Sequence, residues 1–147
     1  MDKIQELLNK SIHHLQVADH MAYVTYPLIN EKRFLLKIFE QIYFSITNCL
    51  NAIMELEKKG NNLNFDNFFK KYYKKYDLTN SDIEKIREIL EISNKHKESS
   101  MEFVRNEKIV ILSNNLKFHI LDIHLVKSYL LIAKELLLKT SIRINKS

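Results

Sequence analysis

A mostly helical bundle of about five helices, with a β-hairpin inserted before the last helix, is the fold this sequence predicts. Only one glycine (Gly60) and one proline (Pro27) stand in 147 residues, so little in the chain interrupts a helix. Apolar residues recur at spacings of three and four over most of its length, and only between residues 108 and 121 does the period change to that of paired strands.

Asp2 is placed to cap a first helix, in which Ile4, Leu7, Leu8, Ile12, Leu15, Ala18, Met21 and Ala22 follow the helical period from about residue 3 to residue 25. Pro27 disfavours helical geometry at Tyr26 and is expected to end it. Asn30 is the expected cap of a second helix over 31–59, stopped by Gly60 and Asn61. Its apolar residues, from Leu35 to Leu56, cover more than half the wheel, so it is the central helix. The remaining strip, with Glu40, Gln41, Phe44, Asn48, Asn51 and Glu55, is polar yet nearly free of lysine and offers an interface.

Residues 66–76 predict a short third helix whose two residue classes separate: Phe68, Phe69, Tyr72, Tyr73 and Tyr76 on one face, Lys70, Lys71, Lys74 and Lys75 on the other. A capping box from Ser81 to Glu84 predicts a fourth helix to about Lys95, followed by a short helical turn over 100–105. The strands 108–112 and 116–121 flank Ser113, Asn114 and Asn115, and with the two asparagines as the loop Ile111 faces Phe118 and Ile109 faces Ile120. Asp122 caps a last helix to about Thr140, leaving Leu131 and Leu138 off its apolar stripe as candidates for a dimer seam, and a basic tail expected to fray.

The chain has one domain's worth of residues, without repeats or linkers. At 46% hydrophobic it has the means to bury roughly 70% of its unfolded surface. The composition predicts neither a membrane span nor a signal peptide, and the single cysteine, Cys49, in an apolar segment suits a reducing, cytoplasmic compartment. With so little glycine, no phosphate-binding loop, dinucleotide fingerprint or nucleophile elbow can be built. The net charge of +5 is uneven: residues 1–57 carry 5 basic against 7 acidic side chains, and residues 58–147 carry 18 against 11. Such a bias permits contact with nucleic acid or an acidic partner.

Asp19 falls inside the apolar stripe of the first helix, where a carboxylate needs a partner such as Tyr23 or a lysine from another helix. His13, His14 and His20 lie on the same helix, but His13 and His20 are about 10 Å apart along the axis, too far for one metal ion. Neither a metal nor a cofactor is expected. The interleaved lysines and aromatics of 66–76 suggest nucleic-acid binding only where both classes share a surface, and on this helix they do not. The plain alternative is aromatic anchoring beneath a solvated lysine face.

The first helix around Leu15 and Ala18, followed by a long helix bearing Phe39, Tyr43, Asn48, Asn51 and Ala52, resembles the HEPN superfamily of small helical bundles. That resemblance implies a tendency to dimerise and a role in RNA cleavage, nucleotide handling or defence. The ribonucleases of the superfamily carry an arginine, a polar residue and, shortly after, a histidine. Here Arg105-Asn106 matches the start, but Glu107, Lys108, Ile109, Val110 and Ile111 supply no histidine to move a proton.

The leading expectation is therefore a non-catalytic, homodimeric HEPN-like protein that binds RNA or a nucleotide-containing partner. The residues expected to carry it are Lys70, Lys71, Lys74, Lys75, Arg105, Lys108 and Lys117. One alternative is a homo-oligomeric interaction subunit without nucleic-acid affinity, using Phe44, Asn48 and Asn51 or Leu131 and Leu138. Another is a divergent ribonuclease pairing Arg105 with His119 or His96.

Overall fold

The computed structural model describes residues 2–57, 65–97, 101–113 and 117–146. Helix α1 (Lys3–His20) begins at Asp2, whose side chain accepts a hydrogen bond from the Gln5 N–H at 2.8 Å. It runs without a break through a π-helical turn (Met21–Thr25) into the short α2 (Tyr26–Ile29). Pro27 thus does not end the first helix as its sequence position predicts. In the widened turn the Tyr26 N–H donates to Met21 O, five residues back, and Pro27 sits directly after that turn, where the altered ladder accommodates its ring and missing N–H. The helix stops instead at Asn30, which adopts the left-handed conformation (φ 48°, ψ 39°) and donates to Tyr26 O at 2.9 Å. Asn30 closes one helix; it does not cap the next.

Helix α3 (Phe34–Leu56) packs antiparallel to α1. Three contacts fix that direction: Ser11 with Ser45, His14 with Gln41 (2.7 Å) and Lys3 with Glu55 (3.6 Å). α3 ends three residues before the expected Lys59, because Glu57 turns inward to meet side chains described below. Gly60 and Asn61 lie outside the described residues. Helix α4 (Phe65–Tyr72) gives way to a turn that brings Tyr76 back into the core, so the expected helix over 66–76 is only partly helical. Helix α5 (Asn80–Lys97) starts two residues earlier than a cap at Ser81 allows. Thr79 and Asp82 form the reciprocal cap, Thr79 N–H to Asp82 Oδ2 at 3.0 Å and Asp82 N–H to Thr79 Oγ1 at 3.1 Å.

Residues 101–105 are not a helical turn but the strand β1 (Met101–Arg105), antiparallel to β2 (Lys108–Leu112), with β3 (Phe118–Leu121) on the other side of β2. The joining residues Asn106 (φ 48°) and Glu107 (φ 61°) both take positive φ, the requirement of a tight two-residue hairpin turn. Between β2 and β3 the register differs by one residue from that expected: Leu112 pairs with Phe118, Ile111 with His119, Val110 with Ile120 and Ile109 with Leu121. Ser113 and Lys117 close the ladder, the Ser113 N–H donating to Lys117 O at 2.9 Å, which leaves three residues to the loop and not two. Asn114 and Asn115 lie outside the described residues. The slip matters because it exchanges faces: Ile109, Ile111 and Leu121 are buried, while Phe118 and Ile120 are exposed.

Asp122 caps α6 (Ile123–Lys146) through the Leu125 N–H at 2.8 Å. α6 lies parallel to α3, with Phe39 against Tyr129 (ring centroids 6.0 Å apart) and the Cys49 thiol donating to Thr140 Oγ1 at 3.3 Å. It is helical to Lys146, six residues past the expected end near Thr140. Thr140 is fully buried and Ile144 packs on the core, which holds the last turns in place. α3 is the centre of the bundle, packed by α1, α5 and α6, and ten of its residues are buried.

Candidate nucleic-acid interface

On α4 the aromatic residues anchor and the lysines face outward. Phe68, Phe69, Tyr72 and Tyr76 are buried, with Phe68 edge-on to Phe69 at 5.5 Å and tilted against Tyr72 at 5.3 Å. Lys70, Lys71, Lys74 and Lys75 are exposed. Lys71 Nζ lies 5.5 Å from the centre of the Tyr72 ring and Lys74 Nζ 5.8 Å from that of Tyr73, contacts that hold the stems while leaving the ammonium groups in water.

Lys75 has a different occupation. Its ammonium sits 2.7 and 2.9 Å from the two carboxylate oxygens of the buried Glu57, which also accepts a 2.9 Å hydrogen bond from the Tyr76 hydroxyl. Burial pushes the Glu57 carboxyl up, but the hydrogen bonds from Lys75 and Tyr76, with the positive charges of Lys75 and Arg143, outweigh it and hold the group below the usual carboxylate range. Burial and the adjacent Glu57 push the Tyr76 hydroxyl above its ordinary value. Lys75 therefore neutralises the protein's own carboxylate. The same region receives the last turns of α6: Lys139, Arg143 and Lys146 join Lys75, Tyr76 and Asp77 around a cleft of about 250 Å³. Arg143 Nε is buried there with no hydrogen-bond partner among the described residues. Lys139 is 3.5 Å from Asp82, whose carboxyl burial would raise but the Thr79 hydrogen bonds and Lys139 lower. Sequence reading missed these α6 cations by assigning them to a tail; the absence of any glycine or proline beyond Pro27 other than Gly60 was the available signal.

The sheet separates the other expected residues by face. Arg105 and Lys108 pair across the β1–β2 ladder and line a cleft of about 420 Å³ on the outer face with Phe103, Val110, Phe118 and Ile120. Neither cation has a carboxylate partner among the described residues. Lys117 is exposed at the far end of the ladder. His119 lies opposite Ile111, on the inner face, and Glu102 pairs with Ile111 from the other side. His96 Nδ1, at the end of α5, is 2.6 Å from Glu102 Oε1. Arg105 and His119 thus project from opposite faces of the sheet and are not brought together.

Asp19 is not buried. Its side chain is about half exposed and its Oδ1 accepts a 2.6 Å hydrogen bond from Lys134 of α6, the partner type expected of it. Lys127 and Lys134 lie over Tyr23, 4.7 and 5.8 Å from its ring centre. Of the helix strip offered as an interface, Phe44 is half-buried against His14 at 5.2 Å, Asn48 Nδ2 donates to Phe44 O at 2.8 Å, and Asn51 is exposed. Leu131 and Leu138 are exposed, at 57% and 61%.

Among the described residues no three His, Cys, Asp or Glu side chains gather as metal ligands, and no helix is long and apolar enough to cross a membrane. Comparison with protein-family models, with curated proteins and with solved structures finds no match.

Proposed function

We propose that this protein is a non-catalytic, HEPN-like helical protein that binds RNA, or a nucleotide-containing partner, through a basic surface. One observation carries the reading: the chain divides its cations. Lys32, Lys75, Lys134 and Lys139 pair with its own Glu107, Glu57, Asp19 and Asp82. Lys70, Lys71, Lys74, Arg105 and Lys108 are exposed and have no such partner among the described residues. Cations that fold no part of the chain are available to phosphates. A reducing cytoplasmic setting belongs to the same proposal.

The test is fluorescence anisotropy with a labelled RNA over a salt series. Wild type is expected to lose affinity linearly in log[salt], and Lys70→Glu/Lys71→Glu/Lys74→Glu to weaken binding and flatten that slope. An RNA affinity independent of salt, or none at all, ends the reading.

The exposed Leu131 and Leu138, seven residues apart on α6, favour a second reading as a homo-oligomeric interaction subunit. Light scattering on the eluting protein tests it. The subunit reading requires an oligomer that Leu138→Glu dissociates, and a wild-type monomer at high concentration removes it.

A further inference from the structure

We infer that the outer face of the three-stranded sheet is a stacking platform for single-stranded RNA, with Phe103 and Phe118 beneath bases and Arg105 and Lys108 on the adjoining phosphates. The inference rests on the RNA-binding reading above and assigns it a site and a substrate class.

Alternation along each strand sets what this face contains. The inner positions Ile109, Ile111 and Leu121 are buried in the bundle. The outer positions form two cross-strand rows, Met101–Leu112–Phe118 and Phe103–Val110–Ile120, followed by the pair Arg105–Lys108. A sheet with one face in water ordinarily alternates apolar and polar residues, yet both rows here are wholly apolar. Met101, Phe118 and Ile120 are 54%, 61% and 49% exposed, Phe103 and Leu112 are half-buried and only the central Val110 is buried, so the described residues leave most of this face open.

Charge selects the occupant. The two acidic residues of the β1–β2 hairpin are both drawn off this face: Glu102 points to the inner side beside His96, and Glu107 in the turn pairs with Lys32. What remains is apolar and aromatic surface ending in two cations. A nucleotide combines the matching properties, a flat π-face and a phosphate, whereas a second copy of this face would set cations against an equally cationic surface. Phe103 and Phe118 belong to β1 and β3, on opposite sides of β2 and in adjacent cross-strand rows, so two inter-strand steps and a two-residue offset along the strands separate them by roughly 12 Å. That spacing suits bases splayed from a single strand; the bases of a duplex are stacked inside it and cannot reach the rings. On α4 the aromatics and the lysines occupy opposite sides, but on the sheet both classes meet on one surface.

The experiment compares anisotropy of a labelled single-stranded oligouridylate and of an RNA duplex with wild type, Phe118→Ala, Phe118→Tyr, and the Lys70/Lys71/Lys74 charge reversal. Because Phe118 is exposed, its truncation leaves the fold intact, and circular-dichroism melting verifies that. Stacking of ~1–3 kcal/mol per base corresponds to a loss of about 5- to 150-fold for Phe118→Ala on the single strand, with Phe118→Tyr close to wild type and the duplex a poor competitor. If wild type binds and Phe118→Ala binds equally well, the platform is wrong while RNA binding through α4 survives. If no RNA binds to wild type, the underlying reading fails with it. Self-association of wild type that Phe118→Ala abolishes, without RNA affinity, also overturns the inference by assigning the face to a second copy.

Discussion

Ser11 and Ser45 exchange hydrogen bonds across the α1–α3 seam: the Ser11 hydroxyl donates to Ser45 O at 2.7 Å, and the Ser45 hydroxyl to Ser11 O at 2.9 Å. Both residues are fully buried, and their small side chains let the two backbones approach. Ser45→Ala removes one hydrogen bond but leaves both carbonyls their helical partners, so the expected cost is about 1 kcal/mol. Ser45→Leu forces three extra carbons into the seam and is expected to cost about 1–3 kcal/mol or more through overpacking. Urea denaturation of the two variants checks the order; equal losses would refute the close-approach account.

Glu57 makes stability depend on acid. Its folded carboxyl is held below its ordinary value, so its contribution is fully present above that ordinary value and is lost as pH falls through the folded one. Wild type is expected to lose stability steadily as the pH drops below about 4.5, the ordinary value of the group. Glu57→Gln is expected to cost about 1.5–3 kcal/mol at neutral pH, the weight of hydrogen bonds to a charged group, and to show a shallower acid decline. Thermal melting from pH 7 to pH 3 is the measurement, and parallel curves would refute the assignment.

Cys49 should behave as an inert thiol. It is 1% exposed, and burial raises it to about 12, with only a small opposing effect from Thr140. A thiol reagent at pH 8 is expected to react only after denaturant unfolds the chain; rapid labelling of the native protein would contradict the packing of α6 on α3.

The β1–β2 turn holds a β-branched-free but non-glycine residue at φ 61°, Glu107. Glycine pays no steric penalty there, and Glu107→Gly yields the Asn-Gly pair favoured in such turns. The variant gives up the ion pair with Lys32, whose side chain is largely covered while that of Glu107 is exposed, and relief of the turn is expected to offset that loss and raise the melting temperature. A lowered melting temperature would mean that the Lys32 pair outweighs the strain.

Asp19→Asn is expected to change stability by less than about 1 kcal/mol, since its pair with Lys134 is open to solvent. A larger loss in denaturant melts would restore the buried carboxylate that its wheel position suggests.

The helical part of this fold was legible because its signals are periodic and local. The apolar stripe of α3 and the aromatic side of α4 each follow from residue spacing within one helix, and their burial agrees. What the spacing did not reveal depends on neighbours in space. The Met-Glu-Phe-Val-Arg run is a strand only because β2 is there to pair with it, and the register of β3 turned on one loop residue. That single residue moved Phe118 and Ile120 to the outer face, where they meet Arg105 and Lys108. The reciprocal serines and the Glu57–Lys75–Tyr76 group escaped notice because serine, glutamate and lysine read as surface residues until their partners are in place.

The parallel packing of α6 on α3 also sets an order of assembly. Cys49 and Leu136 stand 87 positions apart in the chain, whereas α1 and α3 are separated by one short connection. The α1–α3 hairpin can close as soon as both helices leave the ribosome. The side of α3 that receives α6, with Phe39 and Cys49 on it, must wait for the last helix, about 5–18 s at ordinary rates of translation. For that interval the side of α3 that α6 will cover stays open, a natural stage for chaperone capture.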